Sequence, residues 1–187
     1  DDWQVVRYER SSGLKVRIGS GYINHPAGLA IAESTPGSGS TTGWSLYVAE
    51  RNYLDEIPST PAPAPRLAEP GAPLPGRMAG WLTTTVGTPR DMTADPVSGR
   101  LFVSTSIGNL EELDPLAQSF TTRVVSAQPR DMATIEVDSQ GRLIVGSRAG
   151  EIFEVDPFAG FSTSVVYLDG GNVIGSLRGL TVDGQDR

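Results

Sequence analysis

Two Arg-Asp steps recur at a fixed distance in this sequence. Arg90-Asp91 and Arg130-Asp131 stand forty positions apart, each between a Pro and a Met, and Arg178 holds the matching place before Gly179 further on. Guanidinium groups bind anions through paired N–H donors, and carboxylates bind cations or accept those same donors. The steps therefore offer two chemistries. One is a ligand site built from Arg90, Asp91, Arg130, Asp131 and Arg178; the other is a set of ion pairs in which each Arg meets an Asp of its own or the next unit. Other reactive groups are sparse. His25 is the single histidine, and as a general base it needs a carboxylate partner that the sequence does not name. There is no Cys, which excludes disulfides and thiolate metal sites. No Gly-x-Ser-x-Gly elbow, phosphate-binding glycine loop, His-Glu-x-x-His or Asp-x-Asp-x-Asp-Gly calcium loop occurs. Glu33, Asn24, Asn52, Asp91 and Asp131 are loose oxygen donors outside any specific motif, so no metal site is assigned.

The elements that must position these groups are repeated. Gly99-Arg100-Leu101-Phe102-Val103 returns as Gly141-Arg142-Leu143-Ile144-Val145, and Leu113-Asp114-Pro115 returns as Val155-Asp156-Pro157. Both returns are shifted by 42 positions, against 40 for Arg-Asp, so the two-residue difference maps to a loop. Gln4–Glu9 followed by Gly13-Leu14 aligns without gaps onto Glu151–Asp156 followed by Gly160-Phe161. The start of the unit reappears as Gly28-Leu29-Ala30-Ile31 with Leu46-Tyr47-Val48-Ala49, and once more as Gly179-Leu180-Thr181-Val182-Asp183. A repeat of about forty residues is one supersecondary unit that buries its apolar face only against its neighbours.

Each unit reads as four short strands, β-branched or aromatic and bounded by Gly, Pro, Asp and Ser. In the best-defined unit the strands are expected near Thr134–Val137, Arg142–Ser147, Glu151–Val155 and Ser162–Leu168. Asp138-Ser139-Gln140-Gly141 and Asp95–Gly99 close the first hairpins, because Asp bonds its own backbone locally and Gly accepts positive φ. Asp114-Pro115 and Asp156-Pro157 end the third strands, where a residue without a ladder donor fits. No segment carries a capped helical stripe, so almost no helix is expected.

The runs Gly-Leu-Ala-Ile at 28–31, Leu-Tyr-Val-Ala-Glu-Arg-Asn at 46–52 and Gly-Glu-Ile-Phe-Glu-Val-Asp-Pro-Phe-Ala-Gly at 150–160 resemble NHL-like and TolB-like six-bladed β-propellers. The resemblance implies an all-β propeller of four-stranded antiparallel blades across residues 1–187. Three full blades are expected at 28–87, 88–127 and 128–173, with a half blade at 3–20 and a leading strand at 176–183. It also implies that the Arg-Asp steps gather near one mouth of a central channel. Some propeller hydrolases of the lactonase type hold a divalent cation there. Either the last strand completes the first half blade in a small ring, or the chain is part of a larger propeller. The second is preferred, because four blades lie at the low end of the propeller range.

The first full unit is interrupted at 58–76, where seven prolines fall between Pro58 and Pro75. Such a stretch is extended or irregular. It reads as a surface loop or as a contact arm in which Pro61, Pro63 and Pro65 touch a partner. Ser34–Gly43 reads as a flexible hairpin tip, and Trp3, Trp44 and Trp81 as packing residues in or beside strands. The net charge of −7 disfavours nucleic acid and anionic membranes as partners, and no apolar run approaches the ~18 residues of a membrane span. The chain opens on Asp1 rather than Met, which reads as a processed product or a fragment. Together with the Pro/Ala/Ser/Thr-rich loops and the lack of Cys, this points to an extracellular or periplasmic setting. The expected role is a non-catalytic interaction or structural module, partnered by another protein or by further copies of itself. The alternatives are a metal-dependent lactonase-type hydrolase and a small-ligand propeller using the Arg/Asp ring. No cofactor is expected beyond a Ca²⁺ ion in the hydrolase case.

Overall fold

The computed structural model describes residues 5–8, 15–18, 26–34, 43–50, 53–58, 77–79, 87–117, 119–124, 131–167 and 177–183. Among them there is no helix, and the strands in chain order are β1 (Val5–Tyr8), β2 (Lys15–Ile18), β3 (Gly28–Glu33), β4 (Trp44–Ala49), β5 (Tyr53–Pro58), β6 (Arg77–Ala79), β7 (Pro89–Ala94), β8 (Leu101–Thr105), β9 (Asn109–Asp114), β10 (Ser119–Val124), β11 (Met132–Val137), β12 (Leu143–Ser147), β13 (Ile152–Asp156) and β14 (Ser162–Tyr167). They form four antiparallel sheets: β1-β2, then β3-β4-β5-β6, β7-β8-β9-β10 and β11-β12-β13-β14. The last three are called here the first, second and third sheets. Within each, sequence neighbours are also spatial neighbours.

The expected turn chemistry shapes the hairpins. Asp95 accepts from the Val97 amide at 2.9 Å and the Ser98 amide at 3.2 Å, and Gly99 follows with φ 71°. Asp138 accepts from the Gln140 and Arg142 amides, both at 2.9 Å, and Gly141 has φ 79°. The third strands end in the same manner, with Asp114 accepting from the Ala117 amide and Asp156 from the amides of Phe158 and Ala159.

The sheets lie side by side through their first strands, β3 against β7 and β7 against β11. Strand alternation then separates two cores. Leu101, Val103 and Leu113 of the second sheet face Ala30, Ala32, Tyr47, Ala49 and Leu54 of the first. Phe102 and Leu110 point the other way, to Met132, Ile135, Leu143, Val145 and Val155 of the third. Every residue of β8 is consequently buried. A bulge between Met132 and Thr134 lets Met132 and Ile135 enter the same core despite their odd spacing.

Two expectations need correction. The C-terminal strand expected at 176–183 forms no ladder among the described residues: 177–183 pair with no described strand, although Leu177 packs close to Gly146 of the third sheet. Trp44 is not a core residue but 48% exposed, because it sits at the hairpin end of β4 opposite Glu33. The proline-rich residues 59–76 lie outside the described residues; the strands on either side of them pair, Tyr53 with Ala79 and Asp55 with Arg77.

Candidate functional site

Arg90 lies on β7 and Asp131 directly before β11, so the packing of those two strands brings them together. Arg90 donates from Nε to Asp131 Oδ1 at 3.0 Å, and its Nη2 lies 3.0 Å from the same oxygen. Arg148, in the turn after β12, approaches the other oxygen at 3.5 Å and donates its amide to the Asp131 carbonyl at 3.1 Å. The Asp131 backbone has φ 56°, a left-handed conformation that Asp tolerates better than most residues. One carboxylate thus ties the second sheet to two points of the third.

Asp91 makes a second tie. Its Oδ2 accepts from Thr134 Oγ1 at 2.8 Å and from the Ile135 amide at 3.1 Å, and its Oδ1 from the Met92 amide at 2.9 Å. Further along the same strands Thr93 Oγ1 donates to Glu136 at 3.4 Å. Burial first, and the Asp91 charge second, push the Glu136 carboxyl above its ordinary value, opposed by hydrogen bonds from Thr93 and the Val137 backbone. Between the first and second sheets the contact is steric instead. A methyl group added at Gly28 would come 2.4 Å from the Met92 nitrogen.

Of the other candidates, Arg178 and Glu33 are exposed. Arg130, Pro61, Pro63, Pro65, Asn24, Asn52, His25, Trp3 and Trp81 lie outside the described residues. Among the described residues no three carboxylate or histidine side chains converge to hold a metal ion, and no helix is long and apolar enough to cross a membrane.

A second polar cluster occupies the opposite end of the same two sheets. Glu112 of β9 is buried and receives Arg100 on one oxygen and Arg123 Nε on the other, the latter at 2.6 Å. The Arg123 guanidinium carbon lies 5.1 Å from the Phe161 ring centroid, a cation–π geometry. Phe161 in turn meets Phe102 at 6.4 Å between centroids. These residues, with the 72% exposed Phe158, line a cleft of about 430 Å³. The Arg100–Glu112 half of the cluster is legible in the repeat. Arg100 and Arg142 share the Gly-Arg-Leu step, Glu112 and Glu154 each stand two before Asp114 or Asp156, and Arg142 pairs with Glu154 at 2.9 Å as Arg100 does with Glu112.

The sequence matches no protein-family model and no curated protein. In three dimensions the chain is similar to virginiamycin B lyase from Staphylococcus aureus, with a TM-score of 0.64 and 11% identity over 97% of this chain and 53% of that one. A streptogramin B lyase gives 0.63 and 10% over 91% of this chain and 50% of the other. The β-propeller domain of Cps50 (Swd1) from Myceliophteria thermophila gives 0.59 and 11% over 100% of this chain and 62% of that one. At such identities the likeness shows the fold alone: antiparallel sheets in a β-propeller arrangement. The chain spans about half the length of the two lyases.

Proposed function

We propose that this chain is an arc of a β-propeller that serves as a non-catalytic interaction module in a larger extracellular or periplasmic assembly. One observation supports it above the others: Arg90, Asp91 and Asp131, the groups best suited to hold a ligand, are engaged in bonds between neighbouring sheets. In this reading each four-stranded sheet is a blade. Strands β1-β2 and residues 177–183 belong to two incomplete blades, and 58–76 is an insertion that carries partner contacts at Pro61, Pro63 and Pro65. The repeat supports an NHL-like or TolB-like affiliation, and the blade number of the whole ring follows from whatever completes it.

A second reading, a metal-dependent hydrolase or a small-ligand propeller, draws on one specific feature. Glu136 holds its proton above the ordinary carboxylate range, through burial first and the Asp91 charge second, a perturbation found at functional sites and in structural networks alike. Thermal unfolding with and without Ca²⁺ separates the two. In the module reading Ca²⁺ leaves the midpoint unchanged. Arg90→Ala lowers it by about 2–4 °C, since a partly exposed ion pair is worth up to ~1 kcal/mol in a chain of this size. A Ca²⁺-dependent rise that Asp91→Asn abolishes would replace the module with the metal-dependent reading.

A further inference from the structure

The cleft between the second and third sheets has two unlike walls. One is charged. Glu112 opposes Phe102 on β8 and Thr121 on β10, so Asp114 and Arg123, each two residues along, share its side of the second sheet. Arg100, two residues before Phe102, reaches Glu112 on that side as well. The other wall is aromatic, with Phe158 and Phe161 of the turn between β13 and β14. At about 430 Å³ the cleft lies within the range of small-molecule sites.

The third sheet holds its equivalent arginine more closely. Arg142 Nε and Nη2 meet Asp138 at 2.7 and 2.6 Å, and its Nη1 meets Glu154 at 2.9 Å. The turn before Arg100 is one residue longer, Asp95 to Arg100 against Asp138 to Arg142. The Ser98 hydroxyl there donates to Asp95 in the arginine's place, and Arg100 is left with Glu112 as its one ion-pair partner among the described residues. Arg123 is fixed on two sides, by Nε on Glu112 and by the Phe161 ring. The other guanidinium N–H groups of both arginines have no partner among the described residues, and the two side chains are 46% and 37% exposed. Asp114 uses Oδ1 for the Ala117 amide and keeps Oδ2 open. Donors, an acceptor and an exposed ring thus stand ready in one place, already ordered by contacts within the fold.

We infer that this cleft binds a small zwitterion carrying an apolar ring, of which a free aromatic α-amino acid is the simplest case. Its carboxylate takes the open N–H groups of Arg100 and Arg123, the planar pairing that guanidinium groups favour. Its ammonium meets Asp114, and its ring lies against Phe158. A simple anion would face the carboxylates of Asp95 and Asp114, and a simple cation the two arginines; a molecule bearing both charges satisfies the whole wall. The site lies at the opposite end of the sheets from Arg90 and Asp131 and does not rest on the module reading.

The test is calorimetric titration of the full 187-residue chain with L-phenylalanine. Saturable binding in the sub-millimolar range is expected. N-acetyl-L-phenylalanine lacks the positive charge, L-phenylalaninamide the negative charge and L-alanine the ring. Each binds about tenfold more weakly or worse, since a charged or apolar group of the cleft is then left unmatched. Arg123→Gln has the same effect. That variant also loses an ion pair of the fold, so Phe158→Ala serves beside it: the ring is exposed, the thermal midpoint stays in place, and binding still falls about tenfold. Four results overturn the inference. They are no saturation up to the solubility of the amino acid, equal binding of the N-acetyl compound, equal binding of the amide, and binding indifferent to Phe158→Ala. None involves Ca²⁺ or Arg90, so the inference and the module reading fail separately.

Discussion

The junction between the second and third sheets and the uncovered side of β3 are written in the same repeat, yet their fates are opposite. At the junction Ile135 and Leu143 are sealed, Asp91 bridges to Thr134 and the Ile135 amide, and Arg90 reaches Asp131. On β3 the aliphatic residues at the equivalent registers, Leu29 and Ile31, face solvent. The residues are nearly the same, so burial belongs to the stack and not to the unit.

The largest contrast lies in truncations. Leu143→Ala removes a fully buried side chain and is expected to cost about 2–5 kcal/mol, whereas Ile31→Ala on the exposed side stays within about 0.5 kcal/mol. Urea unfolding of both variants checks this. Equal losses would mean that β3 is covered in solution.

Glycine additions sharpen the contrast at intermediate size. Gly28 and Gly179 hold the same place in the repeat. A methyl at Gly28 collides with the backbone of Asp91 and Met92, at 2.7 and 2.4 Å, while nothing lies within 4 Å at Gly179. Gly28→Ala should therefore destabilise by about 1–3 kcal/mol, and Gly179→Ala should be nearly silent; matching midpoints for the two would show that β3 and β7 are not in close apposition.

The smallest effect concerns pH. The folded chain holds the Glu136 proton more tightly than the unfolded chain does. Its contribution to stability is therefore present below the ordinary glutamate value, about 4.3, and is lost as pH rises through the raised folded value. Glu136→Gln should flatten the fall in stability over that window. Parallel pH profiles for the variant and the parent would remove the upward shift that burial and the Asp91 charge give Glu136.

Much of this architecture could be read in advance, because the repeat fixes what is local. Asp95-to-Gly99 and Asp138-to-Gly141 turns follow from side-chain capping and positive φ, and both formed as expected. Likewise the Arg-Asp steps were legible as either ligand groups or ion pairs, and the structure draws Arg90 onto Asp131. What could not be read was which side of a strand finds a neighbour. Leu29 and Met92 look alike in sequence and differ only in what stands beside them. Trp44 departs from expectation for a related reason: an aromatic in a strand usually packs, but its position at the hairpin end of β4 leaves it exposed. In the Glu112 cluster the repeated Gly-Arg-Leu step points to Arg100, whereas Arg123 comes from a different hairpin and joins Glu112 only through the fold.

The cross-strand pairs of Arg100 with Glu112 and Arg142 with Glu154 bear on how these sheets assemble in time. A slip of β9 by one residue along β8 would turn Glu112 from the Phe102 side to that of Leu101 and Val103, away from its arginines, and would turn Leu113 out of the aliphatic layer it shares with them. Within one sheet the ion pairs set the register of β9 on β8, and the apolar mismatch of a slipped strand is felt only when the first sheet packs on that side.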